Sequence, residues 1–114
     1  MTESEFDKIV EDTCEAIKLT LIVKGKEYRR NGAVFHNFDV GAQMTGQTRE
    51  KVLHGFALKH LVSISDMRND IERGVLPKRG TVEEKFGDAI IYMILEKASV
   101  IDRINNFKIG NDVR

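Results

Sequence analysis

The chain has 114 residues, 41% of them hydrophobic, and its eighteen basic and eighteen acidic side chains cancel. That length and apolar fraction suit one ordinary domain with one core and argue against a second domain. Neutral charge and a pI near 6.8 exclude the pervasive positive field of a general nucleic-acid binder, so any anion site has to be local.

From Thr2 to about Lys24 the apolar residues Phe6, Ile9, Val10, Cys14, Ile17 and Leu21 recur at three- and four-residue steps, with Asp7, Glu11, Glu15 and Lys18 opposite. This spacing predicts an amphipathic helix. Its last turns, with Leu19, Ile22 and Val23, are apolar nearly all round and are expected to be buried by more than one neighbour. Cys14 lies on the apolar stripe and is read as a core residue, since nothing near it would lower a thiol pKa. As the single cysteine it forms no internal disulfide, and the charged N-terminus has no apolar leader region, so a cytoplasmic location is expected. No run approaches the roughly 18 apolar residues of a membrane span.

Between Lys24 and Gln47 the periodicity fails and glycines stand at 25, 32, 41 and 46, which predicts a loop holding one short helix from Phe38 to Met44. Loops of this length in compact domains are often binding segments. Thr48 is the expected N-cap of a second long helix, whose buried face is Leu53, Ala57, His60, Ile64, Met67 and Ile71 and which ends at Gly74. After the turn RGVLPKRG, Thr81 and Glu84 match a capping box opening a third long helix that runs to about Asn106. Val82, Phe86, Ile90, Met93, Ile94, Ile101 and Ile104 are its expected core stripe. The fold class is therefore all-α: a small bundle of three long helices plus the short one, with residues 1–106 as a single domain and 107–114 as a tail that frays.

Candidate chemistry gathers in three places. The loop carries Lys24, Lys26, Arg29 and Arg30 against Glu27, an excess of three positive charges within seven residues. Lysine and arginine bind phosphate as point charge or fork, and Tyr28 or Phe38 offers a stacking face for a base. An exposed basic loop balancing the acidic first helix, where residues 3 to 15 hold six acids and one lysine, explains the same residues without a ligand. On the third helix Glu84, Asp88 and Tyr92 fall at steps of four and form one strip, with Ile91 and Leu95 beside them on a side that should be covered. Carboxylates held there suit a cation, a basic side chain or ligand hydroxyls. Gly87, costly inside a helix, signals a close visitor. On the second helix His60 falls within the apolar stripe, where a histidine is ordinarily a hydrogen-bonded core residue, while Lys59, Ser63 and Asp66 make a polar ridge. His36 and His54 have no metal-site spacing with His60, so zinc is not expected.

At KGKEY (Lys24 to Tyr28), Asn37-Phe38, Lys59-His60 and EEKFGDAIIY (Glu83 to Tyr92), the chain resembles a phage and bacterial family, the nucleotide-modification-associated domain. In that family a lysine, an acid and a tyrosine open the site and a later helix carries acid-x-x-x-Asp-x-x-x-Tyr; Lys24, Glu27, Tyr28, Glu84, Asp88 and Tyr92 match it. The resemblance covers roughly residues 20 to 100 and implies work on nucleotides. The last string also resembles the EExGD stretch of MazG-type all-α nucleoside triphosphate pyrophosphatases, which hold magnesium on a triphosphate. Here Lys85 replaces an acid of that pattern, and Lys59, His60 and Ser63 stand where those enzymes place Glu-Glu-x-x-Glu. Too few acids remain for a two-metal hydrolase.

The expectation is thus a phage-type nucleotide-binding protein that acts on or sequesters a phosphorylated nucleotide, with Lys24, Lys26 and Lys59 on phosphate. Tyr28 or Tyr92 would meet base or sugar, with Glu27, Asn37, His60 and Ser63 completing the ligand-binding set, and Glu84 and Asp88 would hold magnesium, a ribose or the loop lysines. As an enzyme it would be a magnesium-dependent nucleotide phosphohydrolase. The rival is a protein-interaction module without catalysis, for example a dimeric helical adaptor or phage counter-defence protein. A homodimer is compatible with both.

Overall fold

The computed structural model describes residues 1–23, 25–26 and 29–107. Four α-helices make an all-α bundle: α1 (Glu3–Lys18), α2 (His36–Thr45), α3 (Arg49–Glu72) and α4 (Arg79–Asn105), with one π-helical turn, Leu19–Val23, at the end of α1. No described helix is long and apolar enough to cross a membrane.

Local chemistry sets most of the boundaries. Thr2 and Glu5 exchange side-chain and backbone hydrogen bonds as a capping box on α1, and the Thr48 hydroxyl accepts from the Lys51 N–H to start α3. α2, two residues longer at its start than the predicted segment and one longer at its end, stops at Gly46, whose φ of 68° places it in the left-handed conformation that terminates helices. The Thr81–Glu84 capping box does not form. α4 begins immediately after Lys78, which follows Pro77, so Thr81 already lies inside the first turn and has no orphan terminus to cap.

The core is the α3–α4 interface. Leu53, Ala57, His60, Ile64 and Met67 of α3 are buried as their spacing predicts, against Ala89 and Ser99 of α4. Ile71 falls outside it and is exposed. At one end Arg49 fastens three helices. Its guanidinium donates to Ser99 Oγ (2.6 Å), Ser99 O (3.1 Å), Asp102 (2.9 Å) and Asp39 of α2 (3.2 Å), and lies 4.2 Å from the centre of the Phe35 ring. Glu50, next along α3, accepts from Ser99 Oγ and is paired with Arg103.

Three expectations about burial are corrected. Cys14 is exposed. α1 turns Ile9, Thr13, Ala16 and Ile17 toward the cleft it shares with α4, and Cys14 lies about 120° round the helix from that line. Leu19, Ile22 and Val23 are likewise exposed rather than buried by several neighbours. On α4, Phe86, Met93, Ile94, Ile101 and Ile104 are exposed, and the helix turns the face of Ala89, Tyr92, Glu96 and Ser99 to α3 instead. Small and hydrogen-bonding residues let α4 approach α3 and join its polar ends, which hydropathy alone does not register.

Candidate functional site

A cleft of about 820 Å³ separates α1 from the first half of α4. α1 contributes Ile9, Asp12, Thr13 and Ala16, the π-turn contributes Thr20, and α4 contributes Glu83, Glu84, Gly87, Asp88 and Ile91. Helical periodicity explains the α4 wall, since residues 84, 87/88 and 91 lie on one side of the helix. Gly87 leaves its part of the wall bare: a Cβ there would meet no described atom within 4 Å. The close visitor that this glycine suggested is absent among the described residues, and what its missing side chain provides is open space.

The cleft is acidic. Asp12, Glu83, Glu84 and Asp88 face it against Arg79, and Arg79 is 3.2 Å from Glu83. Asp12 is paired with Lys8 at 3.0 Å and Glu84 with Lys85 at 3.8 Å, the first pair exposed and the second partly so, and such pairs contribute little to stability. Such a wall attracts cations and hydroxyl donors and repels bare phosphate. Among the described residues no three of His, Cys, Asp and Glu gather as a metal-ligand cluster. Two carboxylates one turn apart are nevertheless a chemically sufficient hold for magnesium when substrate phosphates and water complete the shell.

Behind Asp88 the cleft adjoins an aromatic row. Phe38 of α2 meets Phe56 of α3 edge-on at 5.9 Å, Phe56 lies near-parallel to Tyr92 of α4 at 6.0 Å, and Tyr92 near-parallel to His60 at 5.4 Å. Such contacts each add about 0.5–1.5 kcal/mol beyond area burial. His60 was expected as a hydrogen-bonded core residue. It is buried, but its Nδ1 has no hydrogen-bond partner among the described residues and stands 3.6 Å from Asp88 Oδ2.

The basic loop starts beside this cleft. An ideal Cβ on Gly25 would be 3.4 Å from the Thr20 carbonyl, and Arg29 Nη2 donates to Leu21 O at 3.2 Å. The wider π-turn leaves such carbonyls available, and Arg29 satisfies one of them. Arg29 is therefore held by the backbone. Lys26 is exposed, and Lys24, Glu27 and Tyr28 lie outside the described residues.

Of the predicted site residues, folding unites Glu84 and Asp88 on one wall and sets His60 and Tyr92 directly behind Asp88. Lys26, Asn37, Lys59 and Ser63 do not line the cleft. Lys59 is exposed, and the Ser63 hydroxyl donates to its carbonyl at 3.0 Å. Sequence reasoning missed the contribution of α1 and its π-turn, namely Asp12, Thr13 and Thr20. Two threonines on an otherwise apolar edge of α1 were the available signal.

Comparisons with family models, with curated proteins and with solved structures returned no match to this chain.

Proposed function

We propose that the chain binds a phosphorylated nucleotide in the α1–α4 cleft, with the sugar hydroxyls or a magnesium ion toward Glu84 and Asp88 and the phosphates toward the lysines of the KGKEY segment. The observation that carries this reading is the shared wall: Thr20, four residues before Lys24, lines the same cleft as Glu84 and Asp88. An acidic cleft with one wall close in sequence to a basic segment is suited to a ligand with a hydroxyl-rich or cationic part and an anionic part. Magnesium, when present, would neutralise phosphate charge against the two carboxylates.

The test is calorimetric titration with nucleoside mono-, di- and triphosphates, with and without magnesium, followed by chromatography of the products. Binding that is lost in Asp88→Asn and Lys24→Ala supports the reading, and product formation would make the protein a phosphohydrolase. Binding without products would make it a nucleotide sequestering protein. No binding to any member of the series removes the proposal.

A protein-interaction module is the second reading, favoured by the exposed Phe6 and Val10 on α1 and the acids beside them. Neutralising Lys24 separates the two: it abolishes nucleotide binding under the first and spares partner binding under the second.

A further inference from the structure

The outer side of α4 departs most from a self-contained bundle. Phe86, Ile90, Met93, Lys97, Val100 and Ile104 follow one another at steps of four, three, four, three and four. That alternation is the seam of a helix that packs lengthwise on another helix. α3 packs on the adjoining face of α4, which holds Ala89 and Ser99, and leaves most of the seam uncovered. Phe86, Met93, Val100 and Ile104 are 42–51% exposed. Between the seam and α3 runs a groove of about 390 Å³, walled on α4 by Phe86, Ile90, Met93 and Lys97 of the seam and on α3 by Leu61 and Ile64. Its charged lining residues are Arg68 and Lys97, and no carboxylate lines it among the described residues.

Size points the same way. The surface of 8978 Å² exceeds, by about 2,600 Å², the roughly 6,300 Å² that scaling gives a compact monomer of 13.0 kDa. The radius of gyration of 17.2 Å compares with about 13 Å for a compact chain of this length. Obligate homodimers bury about 1,000–2,500 Å² on each subunit, so the excess is enough to supply a self-association interface.

We propose that a second copy of this chain covers this face, α4 against α4 along the seam, so that α3 and α4 of both subunits form an intersubunit four-helix bundle. A two-fold contact needs a self-complementary patch, which a continuous apolar row supplies. The face presents almost no hydrogen-bonding code by which an unlike partner would be chosen. Lys97 is the polar exception. A single charged seam residue fixes register at a cost in affinity, because each copy's ammonium has to remain hydrated at the edge of the contact. The seam shares Phe86 with the cleft and otherwise lies round α4 from Glu84 and Asp88, so a contact centred on Met93 and Val100 leaves the two carboxylates open.

Sedimentation equilibrium on the full chain between micromolar and hundred-micromolar concentration tests it. The wild type is expected at about 26 kDa, twice the chain mass. Met93→Glu and Val100→Glu are each expected to weaken association at least tenfold while keeping helical circular dichroism, since both sites are half exposed within one subunit. Lys97→Leu is expected to tighten association at least tenfold, a gain that misfolding would not mimic. Val10→Glu, on the exposed face of α1, leaves association unchanged. A wild type that stays at monomer mass throughout overturns the proposal, as does an oligomer broken by Val10→Glu and indifferent to Met93→Glu and Val100→Glu.

Discussion

His60 Nδ1 of α3 and Asp88 Oδ2 of α4 stand 3.6 Å apart, too far for a hydrogen bond, with the imidazole buried and stacked on Tyr92. This pair joins the aromatic row in the core to the acidic wall of the cleft. A buried ring nitrogen without a partner costs about 1–3 kcal/mol, whereas an apolar group of similar shape carries no such penalty.

His60→Leu should therefore be neutral or stabilising, leaving the thermal midpoint equal or higher. Under the nucleotide reading it should also weaken ligand affinity about tenfold, a difference of about 1.4 kcal/mol, by removing the group behind Asp88. Calorimetry on the folded variant separates the two effects. Unchanged affinity would assign His60 to packing alone.

Gly87 offers a test of the cleft from its backbone. Gly87→Ala should raise stability by about 1 kcal/mol, because alanine is the better helix former and its methyl meets no described atom within 4 Å. Gly87→Phe should project a ring into the cleft and abolish nucleotide binding with little loss of stability. Urea denaturation and titration of the two variants check this, and a Gly87→Phe protein that binds as the wild type does would dissociate the cleft from the ligand.

Arg49 is the strongest polar tie in the fold. Its side chain is 12% exposed and donates to Ser99, Asp102 and Asp39. Arg49→Ala takes a donor from buried Ser99 while Asp39 and Asp102 stay open to water, and should cost about 1–3 kcal/mol. Ser99→Ala removes a smaller share and should cost less. Denaturation midpoints in urea read both.

Glu50 gives the pH dependence its sign. The hydrogen bond from Arg103 holds its carboxyl below the ordinary carboxylate value, opposed by desolvation and reinforced by Ser99. A carboxyl whose folded pKa lies below its unfolded one contributes stability that is complete above the unfolded value and is lost as pH falls through the folded value. Stability should therefore decline with acidification below about pH 5. Glu50→Gln should flatten that decline while lowering stability at neutral pH. Parallel acid slopes in variant and wild type would deny the pair this role.

Much of the fold is legible in the sequence because helix periodicity and caps are local. The α3 core residues from Leu53 to Met67, the Thr48 cap and the short helix around Phe38–Met44 all follow from spacing and side-chain chemistry within a turn or two. Glu84 and Asp88 share a strip for the same reason. Their grouping needs only 3.6 residues per turn.

Which face of each helix meets which neighbour was decided by tertiary structure. Hydropathy ranks Phe86, Met93 and Ile104 as core and Ser99 as surface, yet α4 buries Ser99 because Arg49 and Glu50 satisfy its hydroxyl across fifty residues of chain. The α1 wall of the cleft, with Asp12 and Thr20, likewise depends on how α1 crosses α4. An amphipathic pattern states that an apolar stripe has to be covered, and only the packed chain decides whether its own helices cover it or leave it exposed.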